Sequence, residues 1–178
     1  MPSRPSWQRS EALSLIMQER SRQRDFCDEL EQIADQLGGP VDPRLCTVAL
    51  QRLRHGMPLY HRDEEVLFDI LRTHEEDDGV IATWVELVVS EHAVQEYYLF
   101  ELAEPLSDMG AGKRLRDNHA VGYMLRCCFQ GIRTHLNWEE ATLLRDRLHV
   151  IADAHAEKLA AGIARNRRVL ARHLRVAN

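Results

Sequence analysis

Long apolar runs are missing from this sequence. None approaches the ~20 residues that cross a bilayer, so no helical membrane span is expected. The opening residues, Met1 to Ser10, are polar and contain no signal-peptide core. Glycine (9) and proline (6) are sparse, which argues for long helices over many short strands. The four cysteines, Cys27, Cys46, Cys127 and Cys128, lack zinc or redox spacing and two are adjacent. They read as free thiols of a reducing, cytoplasmic setting. Lysine is nearly absent, with only Lys113 and Lys158. The formal charge of -5 gives no basis for a nucleic-acid partner. No internal repeat or low-complexity segment is present. The acidic run His74 to Gly79 lacks the alternating ligands of a calcium loop. Gly112-Lys113 lacks the rest of a phosphate-binding loop and reads as a linker.

What is present is helical patterning. A chain of 178 residues, 44% hydrophobic and 29% charged, suffices for one soluble domain with a sizeable core. Residues 1–8 form a Pro/Ser/Arg-rich lead-in, expected to be mobile. A first helix is predicted from Ser10 to Leu37, stopped by Gly38-Gly39-Pro40. Its inward stripe is Leu13, Ile16/Met17, Arg20, Gln23, Cys27, Leu30 and Ala34. A second helix starts at Asp42-Pro43, with Asp42 as cap, and runs to His74, interrupted near Pro58. A third spans Val80 to Ala103 and stops before Pro105. A fourth runs from Lys113 to His149, with a break allowed. A final amphipathic helix, Val150 to Arg175, ends in arginines that suit a solvated face or a homodimer contact. The expected fold is all-α: four long antiparallel helices over residues 9–149, plus a C-terminal helix over 150–178.

Two helices carry the candidate chemistry. On the fourth, Met124, Cys128, Gly131, His135, Glu139 and Thr142 follow one stripe. On the third, Trp84, Val88, His92, Glu96 and Leu99 do the same. Each stripe holds a His and a Glu four apart, hence on one helix face. Imidazole and carboxylate converging from neighbouring helices is how a bundle builds a metal site. The simpler alternative is a pair of core histidines satisfied by hydrogen bonds. His92, Glu96, His135 and Glu139 are therefore expected to share one polar pocket. The second helix offers two overlapping pairs. His61/Glu65 has the better ligand chemistry. Tyr60/Glu64 has the better phase, because Leu53, Tyr60, Glu64, Leu67 and Leu71 form one stripe. Arg20 is the anomaly of the first helix, a guanidinium on an apolar stripe; snorkelling to the surface is its simplest alternative.

Four phrases in order resemble the hemerythrin-like (HHE cation-binding) family over roughly residues 8 to 148. They are Arg22-Gln23-Arg24-Asp25-Phe26-Cys27-Asp28, Asp63-Glu64-Glu65-Val66-Leu67-Phe68, Glu91-His92-Ala93-Val94-Gln95-Glu96, and His135-Leu136-Asn137-Trp138-Glu139-Glu140. The resemblance implies an up-down-up-down four-helix bundle. Known members hold two bridged iron ions and bind dioxygen, nitric oxide or peroxide, or sense oxygen or iron. Carried over, His92 and His135 match histidine ligands. Glu139 and Glu64 match the bridging carboxylates. Glu96 matches a ligand position that is often Glu in bacterial relatives. On that register Tyr60 and Arg20 stand where the family has histidines serving one iron.

A guanidinium stays protonated and cannot ligate a metal, but it pairs with carboxylates. Arg20 is thus expected to contact Glu64 or Glu139 in place of one ion. What remains is a mononuclear iron, zinc or manganese site, or none. The His61/Glu65 register would restore part of a second, di-iron-type position, with Glu19 as an extra ligand. Three functions follow from these readings. The first is metal-dependent binding or sensing of a small diatomic gas, or a role in iron or oxidative-stress response. The second is a metal-free interaction protein with an Arg20-centred ion network. The third is an iron enzyme acting on peroxide or oxygen beside Tyr60.

Overall fold

A computed structural model describes residues 11–74, 79–145, 147–148, 151 and 155–176. The lead-in 1–8 and the core of the acidic run, 75–78, lie outside the described residues. The chain is all-helical, with no strand among the described residues beyond one isolated bridge, Leu37 to Gly39. Helix α1 spans Glu11–Gln36. Gly38 follows at φ +108, a conformation that glycine adopts without steric cost, and the Gly39 amide bonds back to the Gln36 carbonyl.

Helix α2, Pro43–Gln51, begins as its sequence demands: the Asp42 carboxylate accepts from the Arg44 amide, with proline in the first turn. The predicted interruption near Pro58 is a π-helical turn, Arg52–Gly56, followed by α3, Met57–His74. Proline cannot donate, and its ring crowds the carbonyl four residues back, so the widened turn falls just ahead of it.

Helix α4 spans Gly79–Gly110 and passes through Pro105, against the expected stop at Ala103. Leu102, Leu106 and Met109 are buried and hold the helix across the proline. The carbonyl that Pro105 leaves without an intrahelical donor belongs to Glu101, an exposed residue that water can reach. Gly112, at φ +71, then ends the run.

Helix α5, Asn118–Glu139, starts five residues later than the predicted Lys113. Its cap is Asp117, which accepts from the amides of His119 and Ala120. A second π-helical turn, Glu140–Leu144, follows directly, and the Arg145 amide donates to the Glu140 carbonyl. The predicted end of this helix, His149, and the predicted start of the last, Val150, lie outside the described residues. Helix α6 spans Ala156–Val176.

The chain divides into two compact units: residues 1–20, 59–90 and 137–178, and residues 21–58 and 91–136. In the first, Leu13, Ile16, Phe68, Leu71, Val85, Val88, Leu143, Leu159 and Ile163 belong to one apolar cluster. Trp84 and Trp138 meet edge to face at 6.2 Å beside it. Helix α6 is part of this core. Gly162 lies so close to α3 that a Cβ there would come within 2.5 Å of Val66 Cγ1. Its Arg167 donates to Glu19 at 2.9 Å, and Asn166 donates to Asp63 at 2.9 Å. The second unit buries Phe26, Leu30, Ile33, Leu99, Leu106, Leu125 and Ile132. Arg133 of α5 ties to α1 there, at 2.6 Å from Asp28 and 2.7 Å from Glu31. No helix among the described residues is long and apolar enough to cross a membrane.

Candidate metal centre

The buried stripes advance by alternating steps of three and four. On α1 the stripe is Leu13, Ile16, Arg20, Gln23, Cys27, Leu30 and Ala34, all buried. This places Arg20 inward; it is 1% exposed. On α3 the stripe is Tyr60, Glu64, Leu67 and Leu71, again all buried. His61 is also buried, whereas Glu65 is exposed. Glu65 therefore does not join a polar core with His61.

Arg20 meets two acids. Its Nη1 donates to Glu64 Oε1 at 3.3 Å and to Glu139 Oε2. Burial opposes the charge on Arg20, but the facing carboxylates of Glu139 and Glu64 outweigh it. The guanidinium pKa is held above its ordinary value. Arg20 is therefore a fixed cation, held between two carboxylates that resemblance alone would assign to metal. Glu19, proposed as an extra ligand, instead accepts from Arg167.

On α4 the same three-four alternation selects His92, Gln95, Leu99 and Leu102. Glu96 is exposed, which corrects the expectation that it enters the pocket with His92. Successive steps of four drift by about 40° each around a helix, and after His92 the inward position falls three residues on, at Gln95. On α5 the buried stripe is Val121, Leu125, Cys128, Ile132, His135 and Glu139. Gly131 is exposed, and Met124 and Thr142 are only half-buried.

His92 and His135, 2% and 4% exposed, face each other with Nε2 atoms 3.1 Å apart. Their ring centroids lie 5.0 Å apart at 61°. Two imidazole nitrogens bound tetrahedrally to one zinc at ~2.0–2.1 Å would stand roughly 3.3 Å apart. The observed spacing fits that demand, and it also fits one N–H···N hydrogen bond. On its other side, His135 Nδ1 lies 2.6 Å from Glu91 Oε2. A carboxylate on the far nitrogen of a histidine is the usual support of a metal ligand. Glu139 follows one turn after His135 on α5 and is buried.

The donor set is thus two imidazoles, which suit iron or zinc alike. A second ion on Glu64 and Glu139 does not fit, because the Arg20 guanidinium already sits on both. Sequence reasoning missed Glu91 and Gln95. Gln95 was legible as the three-step partner of His92. Glu91 was not, since it lies beside the stripe and reaches His135 only through the pairing of two helices. No family model, no curated protein and no solved structure matches this chain.

Proposed function

We propose that the chain is a hemerythrin-like, up-down-up-down helical bundle that binds a single metal ion at His92 and His135. Iron is the first choice, with zinc or manganese as alternatives. The observation that carries the reading is the approach of two buried Nε2 atoms to 3.1 Å, with Glu91 on the far nitrogen of one ring. Iron at such a position would supply a centre for dioxygen, nitric oxide or peroxide. The chain's own residues determine the rest. His92 and His135 offer neutral nitrogen donors. Burial excludes water from them. Arg20 neutralises Glu139 and Glu64 and fills the place of a second ion. Small-gas binding or sensing in the cytoplasm fits a site with so few protein ligands. Elemental analysis of protein purified without chelators, and after addition of ferrous, zinc or manganous salt, tests the proposal. The expected result is one ion per chain, lost in the His92→Ala/His135→Ala double variant. Absence of binding under all these conditions, or unchanged content in the double variant, overturns it.

The Arg20–Glu139 pair favours a second reading. If Arg20 keeps Glu139 from any metal, the polar core is an ion network and the bundle serves protein interaction. The same measurement decides between the two.

A further inference from the structure

A neutral imidazole carries one ring proton, and its position decides which nitrogen can bind a metal. The Glu91 carboxylate lies 2.6 Å from His135 Nδ1. Ionised, it can only accept, so it draws the proton to Nδ1. His135 Nε2 then keeps its lone pair, pointed at His92 Nε2 across 3.1 Å. Two lone pairs at that distance repel, so in the metal-free protein the bridging proton belongs to His92. A metal taking both Nε2 atoms therefore requires no change at His135. It requires the His92 ring proton to leave Nε2 and be taken up at Nδ1, so that the ring stays neutral.

We propose that Glu91 is the positioning residue of this site: it fixes His135 in the Nδ1–H form as the preformed ligand and leaves His92 as the ligand that changes tautomer. The inference rests on the metal-binding reading above. Glu91 suits this role because its side chain is 44% exposed, whereas that of His135 is 3% exposed. The carboxylate reaches in from the protein surface to orient a ring inside it.

Two measurements on the full chain test this. Long-range nitrogen-15 NMR of the metal-free protein at neutral pH reads each ring's tautomer. The expected result is Nδ1–H for His135 and Nε2–H for His92. His135 with its proton on Nε2, or on both nitrogens, overturns the proposal without use of any variant. Zinc affinity, read by competition with a chromophoric chelator, is then compared across wild type, Glu91→Gln and Glu91→Ala. Loss of the carboxylate in Glu91→Ala should weaken binding ~10–100-fold, the usual cost of removing a ligand's outer partner. Glu91→Gln, whose amide oxygen still accepts from Nδ1–H, should recover most of it. Zinc bound equally by Glu91→Ala and wild type sinks the role of Glu91 alone. No zinc bound by wild type sinks this inference, and the metal reading falls with it when ferrous and manganous ions also fail to bind.

Discussion

Arg20 and Glu139, 119 residues apart in the chain, form an ion pair whose side chains are 1% and 0% exposed. Glu64 closes the group from α3 at 3.3 Å. A buried ion cluster of this kind adds little net stability over a well-packed apolar one, yet losing one member is costly. Arg20→Ala should therefore destabilise the chain by ~3–5 kcal/mol, since it removes the cation facing two buried carboxylates. Replacing Arg20, Glu64 and Glu139 together by Met, Leu and Leu should cost much less. Urea denaturation of both variants checks the contrast; equal losses would show that the pairing is not what the single variant removes.

Asp63 gives a pH signature. It is buried, and burial raises its carboxyl pKa; Asn166 and Arg167 counteract this, and Glu19 adds to it. The native state therefore holds the Asp63 proton more tightly than the unfolded chain. The associated stability is greatest at low pH. It declines as pH rises from the unfolded value, about 3.9, through the raised native one. Asp63→Asn has no such titration. Wild type should lose ground against Asp63→Asn as pH rises over that window, measured by urea midpoints. A gap that stays constant with pH would refute the assignment.

The thiols should differ sharply in reactivity. Burial pushes Cys27 and Cys128 up to about 12 and Cys46 up to about 11. Only thiolates react quickly, and these three are also covered. Cys127 is half-buried and within reach of solvent. Maleimide at pH 8 should label Cys127 rapidly and the other three only as the chain unfolds. Mass spectrometry of labelled Cys127→Ser, showing no fast site, completes the check.

Gly162 is a packing requirement. Alanine is the better helix former by about 1 kcal/mol, yet its Cβ would meet Val66 Cγ1 at 2.5 Å. Gly162→Ala should therefore destabilise by ~1–3 kcal/mol, and adding Val66→Ala should recover part of the loss. Thermal melts of the single and double variants measure the coupling. Additive losses would mean that the two helices do not meet there.

These residues also show what a sequence discloses. The α1 stripe, Arg20 included, was legible because three-four spacing fixes phase along one helix without reference to a partner. Glu96 was misplaced because steps of four were chained past the point where they drift off the face. Pro105 looked like a stop, but burial of Leu106 and Met109 beyond it outweighs one missing donor. The pairings Glu91–His135 and Arg167–Glu19 join residues 44 and 148 positions apart. No periodicity within one helix encodes them, because they depend on which helices become neighbours.

The π-helical turn Glu140–Leu144 begins at the residue after Glu139. Such a turn amounts to one extra residue inserted into an α-helix. Glu139 on one side and Leu143 and Leu144 on the other are all buried. The wider turn absorbs that residue, so an uninterrupted α-helix one residue shorter would bring everything after the deletion back to nearly the same side relative to Glu139. The chain's length at this point is thus less constrained than its buried composition. Substitutions at the exposed Ala141 should be tolerated, and deleting it should convert the turn to regular α-helix while Leu143 and Leu144 keep facing their apolar neighbours.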